Sequence, residues 1–287
     1  MVGTFKEQQQ MTVLICGSTG RLGRSVTSFF RKQTTVVAPT RNEIDFTSKE
    51  ALRDLIEAEK PVTVINCAAW TDVDGCEKNP ELAKKLNTDL PQHLSELIEN
   101  IDSHLIQIST DFVFDGQTDK PYNEEHLPNP ISIYGQTKLE GEKAAGPDAT
   151  VIRTSWLQAP DELNMVKGIL EGFKKAGPLE LPNDRQANPT FIEDLLPIIK
   201  CFAESRFRGV VHATNEGTTN WCEFAKFIAE KTNNDPTRIT PSEPRTLNRV
   251  AARPAFSALD NEVIRREKIQ PIRHHHEAVL EILNKVN

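Results

Sequence analysis

No apolar run in this 287-residue chain reaches the roughly 20 residues needed to cross a membrane. The first ten residues, MVGTFKEQQQ, lack the apolar core of an export signal. Both absences point to a cytoplasmic protein, with residues 1–10 read as a disordered leader. There is no basic excess: 34 Lys and Arg against 41 Asp and Glu give a formal net charge of −7. That argues against a nonspecific nucleic-acid partner, although a locally positive site can still hold a phosphorylated ligand. Cysteine is sparse. The five thiols (Cys16, Cys67, Cys76, Cys201 and Cys222) form no CxxC pair, and they read as reduced. Tyrosine is scarcer, with two in the chain. One of them, Tyr134, stands four residues before Lys138 in SIYGQTK. On a helix those positions share a face, which fits a solvated surface as well as a reactive pair.

What is present is a globular composition, 38% hydrophobic and 26% charged, with room for one large or two modest domains. Strand-like and helix-like segments alternate over the first 155 residues. Strands are expected at 12–16, 34–39, 62–69, 104–110 and 150–156. Helices are expected at 20–32, 47–60 (Thr47 and Glu50 at capping-box spacing), 79–99 (Asn79 as N-cap, Pro80 following) and 132–145. This rhythm predicts an α/β, Rossmann-type doubly wound parallel sheet over 11–156, with ligands at the carboxyl ends of the strands. Beyond 156 prolines cluster. Helical segments near 162–176, 191–205, 219–232 and 273–286, with one strand-like run at 209–214, predict a smaller mixed α/β lobe over 157–287 that binds substrate. The boundary is approximate and the chain can cross back. No internal repeat or low-complexity tract occurs.

Four signals fall at strand ends or on the helix that follows. GSTGRLG comprises Gly17, Ser18, Thr19, Gly20, Arg21, Leu22 and Gly23. Its GxxGxxG spacing lets the backbone turn tightly and lets a pyrophosphate approach a helix N-terminus. After the second strand, where an acid would read an adenosine ribose, stand Thr40 and Arg41. Arg41 suits a 2′-phosphate, which favours NADPH over NADH; Asp45 and Phe46 could flank the adenine. After the third strand, INCAAWTDVDGCE offers Ala68, Ala69 and Trp70 for close passage of a cofactor. Its Asp72 and Asp74 lack metal-ligand spacing. Ser109 and Thr110 end the fourth strand, and Tyr134 and Lys138 lie on the next helix. A hydroxyl, a phenol and an ammonium would thus converge beside a nicotinamide.

This ordered set resembles the extended short-chain dehydrogenase/reductase superfamily, and within it the dTDP-4-dehydrorhamnose reductases. The resemblance is carried by GSTGRLG, NCAAWTDVDGCEKNPELA, STDFVFDG, PYNEE, YGQTKLEGE, RTSW, ANPTFIEDL and ARPAFSALDN, in order over 12–283. It implies NAD(P)H-dependent reduction of the 4-keto group of dTDP-4-dehydro-6-deoxy-L-mannose to dTDP-L-rhamnose. Tyr134 would then be the proton donor, Lys138 would hold the nicotinamide ribose and lower the phenol's pKa, and Thr110 would bond the keto oxygen. Thr71, Val73, Asp111, Phe112 and Trp156 would line the sugar pocket, Phe112 standing where the family commonly has tyrosine. The segment 183–190 and Arg253 would hold dTDP. Some members bind magnesium through glutamates and dimerise. One of those glutamate positions is Ser25 here, so no metal is expected, and a homodimer is not inferred from this feature. Two other readings stay open: a non-catalytic cofactor-binding subunit like the beta subunit of methionine adenosyltransferase, and a reductase or epimerase of another nucleotide-linked 4-keto sugar. The run RHHHEA (273–278) reads as the start of the last helix, its consecutive histidines expected to diverge.

Overall fold

The computed structural model describes residues 12–159, 165–242 and 249–286. The expected leader and the start of the helix expected at 162 lie outside the described residues. Five short strands, β1 (Thr12–Cys16), β2 (Thr35–Val37), β3 (Thr63–Asn66), β4 (His104–Thr110) and β5 (Thr150–Thr154), form a parallel sheet with a sixth. The order is β2-β1-β3-β4-β5 followed by Gly209–His212. It is a doubly wound order whose direction reverses between β1 and β3, and a crevice opens at such a switch point. Alternation sends Val13 and Ile15 to one face of β1, and Leu14 and Cys16 to the other. Both faces are apolar because both are covered.

The helices that flank these strands are α1 (Arg21–Phe30), α2 (Lys49–Glu59), α3 (Val73–Lys78), α4 (Pro80–Lys84), α5 (Leu90–Ile98) and α6 (Ile133–Ala144). α2 is capped by Ser48, whose hydroxyl accepts from Ala51 N–H at 3.2 Å, rather than by the expected Thr47. The helix expected at 79–99 is instead α4, a π-turn (Lys85–Asp89) and α5. Its Asn79 provides no N-terminal side-chain cap. α3, unexpected from the sequence, starts at the Asp72 cap.

After β6 (Leu157–Gln158), the chain forms α7 (Met165–Phe173), β7 (Leu179–Leu181), β8 (Thr190–Phe191) and α8 (Ile192–Ser205). It then returns to the main sheet: β9 (Gly209–His212) pairs with β5, and α8 packs with α1 on one sheet face. The remaining elements are α9 (Trp221–Lys231), β10 (Ile239–Pro241), α10 (Glu262–Arg266) and α11 (His275–Val286). α7, α9 and α11 share a separate apolar core over the strands' carboxyl edge, with the small parallel pairs β6–β8 and β7–β10 beside it.

Candidate active site

The carboxyl ends of the strands open into a cavity of about 940 Å³, large enough for a cofactor-sized ligand. Gly17 turns with a φ of 77°, and Gly20 N–H donates to Gly17 O at 3.0 Å. α1 follows with no side-chain cap at Gly20, so the N–H groups of its first turn remain for an anion. Gly20, Arg21 and Leu22 line the cavity. Gly17 lies against Ala68, since a Cβ there would fall 2.6 Å from Ala68 N. Ser18 donates to Pro39 O at 3.0 Å and ties the loop to β2. These residues fit a dinucleotide: an uncapped helix start beside a glycine that leaves room for a close backbone approach.

Thr110, Tyr134 and Lys138 come together on the cavity wall. Thr110 ends β4 and caps the single turn Asp111–Val113, accepting from Phe112 N–H at 3.2 Å and donating to Asp111 Oδ1 at 3.0 Å. α6 presents Tyr134 and Lys138 one turn apart, both buried, so the bland reading as a solvated face does not hold. It can lie this close because its glycines lack side chains. A Cβ at Gly135 would sit 2.2 Å from Phe112 O, and one at Gly141 1.9 Å from Asn87 O. Asn87, in the π-turn, bonds Trp70 through both its amide groups and donates to Thr137 at 3.1 Å. It thereby fixes α6 against the β3 loop. Nothing in the local sequence pattern singles Asn87 out.

Burial pushes the Tyr134 phenol up; Thr110 opposes the shift and Asp111 adds to it. Burial pulls Lys138 down to about 8, opposed by the charge of Glu142. Its ammonium donates to Ile108 O at 2.6 Å. Burial raises Asp111 to about 6, and Ser257, Thr110 and Arg185 hold it back from rising further. A phenol kept protonated in a cavity that it lines together with a cation and a hydroxyl is equipped to hand a proton to an oxygen that gains negative charge.

The far wall comes from the smaller lobe. Trp156 lines the cavity in a left-handed conformation, φ 41°, the kind of strain that persists where surrounding structure enforces it. Its ring centre is 5.4 Å from that of Trp221. Thr71, Val73, Ala69, Asp111 and Phe112 line the same space. Arg185, within the segment 183–190 expected to hold dTDP, faces the cavity, and so does Trp221, which sequence reasoning did not single out. Trp221 Nε1 and Arg185 Nε are buried without a hydrogen-bond partner. Two neighbouring arginines are neutralised: Arg249 by Asp184 at 2.5 Å, and Arg253 by Asp74 in a two-pronged pair at 2.9 and 3.1 Å. Arg185 thus lines the cavity with a donor, Nε, left for an anion.

Other expected residues lie elsewhere. Phe46 is buried in the core under α2 and α5, and Asp45 bonds Thr47 N–H and its hydroxyl at 2.8 and 2.7 Å; neither lines the cavity. Arg41 is exposed. Glu43, three residues beyond Thr40, folds back to accept from Thr40 N–H at 2.7 Å. Thr19, Gly23, Ala68 and Trp70 do not line the cavity, and Arg253 is held on Asp74. Asp72 and Asp74 are engaged as a cap and an ion pair. His274, His275 and His276 do not diverge as expected. A ring nitrogen of each comes within 4.8 Å of the others, because His274 precedes α11. Nδ1 of His274 already accepts from His276 N–H, and Nδ1 of His275 donates to Glu216 O. The positive end of a helix also disfavours a cation there.

A family model described as the RmlD substrate binding domain matches residues 11–287. A dTDP-4-dehydrorhamnose reductase of Streptomyces griseus is 33% identical over 278 residues, 93% of this chain and 91% of that one. A dTDP-4-keto-6-deoxy-D-glucose reductase of Streptomyces niveus is 30% identical over 266 residues, 91% of this chain and 92% of that one. A solved dTDP-4-dehydrorhamnose reductase from Bacillus anthracis, in complex with NADP, superposes with a TM-score of 0.89 at 26% identity, over 96% of this chain and 100% of that one. Among the described residues no helix is long and apolar enough to cross a membrane.

Proposed function

The chain belongs to the dTDP-4-dehydrorhamnose reductase family, and on that premise we propose that it reduces the 4-keto group of dTDP-4-dehydro-6-deoxy-L-mannose with NADPH or NADH, Tyr134 giving the proton. The observation that carries the reading is the convergence of Thr110, Tyr134 and Lys138 on one cavity that Gly20, Trp156 and Trp221 also line.

Gly17, Gly20 and the start of α1 would hold the pyrophosphate, Arg41 or Glu43 the adenosine ribose, and Lys138 the nicotinamide ribose. When bound, the reduced nicotinamide supplies hydride. The residues of the chain do the rest. Thr110 orients the ketone oxygen through its hydroxyl. Tyr134 transfers its phenolic proton to that oxygen as negative charge develops. The Lys138 ammonium stabilises the phenolate left behind. The raised pKa of Tyr134 suits this direction of reaction: burial keeps the phenol loaded with its proton until the ketone needs it. Trp156, Val73 and Phe112 enclose the sugar, and Arg185 faces the diphosphate. Arg253 would join it on releasing Asp74.

The test is oxidation of NADPH, followed by its absorbance, with the keto sugar generated in situ by the upstream epimerase. Turnover that Tyr134→Phe removes supports the proposal. NADPH binding without turnover on this sugar, but with turnover on another dTDP-4-keto sugar, would move the substrate and keep the mechanism.

A further inference from the structure

Ser109 on β4, Arg153 on β5 and His212 on β9 stand opposite one another across three adjacent strands. All three are buried. Glu142 reaches them from α6. Its Oε1 accepts from Ser109 Oγ at 2.5 Å and from Arg153 Nε at 2.9 Å, and its Oε2 accepts from Arg153 Nη2 at 2.7 Å. Arg153 Nη1 lies 3.4 Å from His212 Nε2. A buried ion pair of this kind is poor value as a stabiliser, because desolvating two charges offsets most of their attraction. Its position suggests another use. Glu142 follows Lys138 by one helical turn on the same face. Lys138 bonds the carbonyl of Ile108, and Glu142 bonds the hydroxyl of the next residue, Ser109.

We infer that Glu142, gripped by Arg153 and Ser109, is a positioning residue that keeps Lys138 cationic and in place beside Tyr134. The inference rests on the reading of Lys138 as Tyr134's partner. The charges around Lys138 leave Glu142 as the compensating one. Cys67, at the end of β3, is pushed by burial up to about 12 and is a neutral thiol at working pH. Tyr134 is a neutral phenol. His212, beyond Arg153, is pushed down to about 3 and is neutral. Asp111, on the turn after β4, is spent on Ser257 and Thr110. Arg153 adds a second buried cation, so removing the Glu142 carboxylate would leave two cations without their anion. Burial alone would then draw the Lys138 proton off at lower pH.

The experiment compares wild type, Glu142→Gln and Glu142→Asp in two readouts from about pH 6 to about pH 10: NADPH affinity by fluorescence, and kcat/KM, whose alkaline limb reports the free protein's essential cation. The wild-type midpoint is expected at about 8, where burial sets the Lys138 ammonium. Glu142→Gln should lower it by about one pH unit or more in both readouts, the shift a nearby opposite charge commonly makes. Glu142→Asp, which keeps the charge, should recover most of the difference. A folded Glu142→Gln protein whose midpoint matches wild type overturns the inference, even if its kcat is reduced. If Glu142→Gln does not fold, the double variant Glu142→Gln/Arg153→Met removes both buried charges together. Its midpoint should also fall, since the charge of Glu142 is what chiefly opposes the effect of burial on Lys138; an unchanged midpoint overturns the inference equally. Failure of the reductase reading looks different: wild type would bind NADPH with an alkaline midpoint yet turn over no keto sugar, and the Glu142 shift would still be read in binding.

Discussion

Alanine at Gly20 should weaken NADPH binding about tenfold to a hundredfold and leave the fold intact, whereas alanine at Gly17 or Gly23 should damage the fold itself. The difference follows from what each added methyl would meet. At Gly20 it finds only Gly17 O, at 3.3 Å, and the helix start loses an N-cap preference worth less than about 1 kcal/mol. At about 2 °C per kcal/mol for a chain of this size, Tm should move by about 2 °C or less. The same methyl intrudes on the uncapped first turn that lines the cavity. Losing one charge-assisted hydrogen bond to a phosphate there costs about 1.5–3 kcal/mol, which is the tenfold to hundredfold in Kd. At Gly17 the methyl would lie 2.6 Å from Ala68 N, on a backbone with φ 77°. The left-handed conformation costs about 1–2 kcal/mol and the overpacking about 1–3 kcal/mol, so Tm should fall by about 4–10 °C. At Gly23 it would lie 2.0 Å from Gly17 O, and the loop must open. Thermal melts and fluorescence titration with NADPH separate the cases. Wild-type affinity in Gly20→Ala, or a Tm loss in it as large as in Gly17→Ala, would refute the assignment of the loop to the pyrophosphate.

Tyr134→Phe should lower kcat by at least about a hundredfold, about 2.7 kcal/mol in the barrier, with NADPH affinity unchanged; turnover within about tenfold of wild type would remove Tyr134 as the proton donor. Arg185→Met should raise KM for the dTDP sugar by about tenfold or more, the cost of one charge-assisted bond, and leave NADPH affinity alone; equal losses in both would take Arg185 away from the substrate. Arg41→Ala should raise KM for NADPH only and Glu43→Gln KM for NADH only, so equal effects on the two cofactors would show that neither residue reads the ribose. Burial pushes His104 down to about 4 and His212 to about 3, while in the unfolded chain both titrate near 6.5. The native state therefore binds fewer protons in that interval, and stability present above about pH 6.5 is lost as pH falls. Tm should drop between about pH 7 and pH 5, and His104→Gln should flatten the slope; a Tm indifferent to pH in the wild type would contradict this.

The glycine loop, the strand ends and α6 were legible because their signals are local: a short apolar run, a turn residue, a helix start. What escaped was decided at long range. GVVHAT reads as a lobe strand until its partner, β5, is found more than fifty residues earlier. Phe46 sits where an adenine contact was expected, but the packing of α2 and α5 takes it into the core. Strand spacing likewise cannot anticipate the turn that folds Glu43 back onto Thr40. Trp221 escaped because it reaches the cavity only where the second lobe closes over the sheet's edge, whereas Arg185 lies in the segment 183–190 already expected at the site.

The stripe Tyr134, Lys138, Glu142 is the instructive case. Polar groups at i, i+4 and i+8 are what a solvated helix face looks like in sequence. Here all three are buried, and what reverses the reading lies on other strands. Arg153 and Ser109 face each other across β4 and β5 and hold the carboxylate that Lys138 needs. A charge can be taken out of water only where its counter-charge and hydrogen bonds are already in place. The polar stripe is therefore diagnostic of a site only together with a buried arginine on a neighbouring strand, and in this chain RTSW places that arginine, Arg153, three residues before Trp156, so one short segment serves both the charge that grips Glu142 and the wall of the cavity.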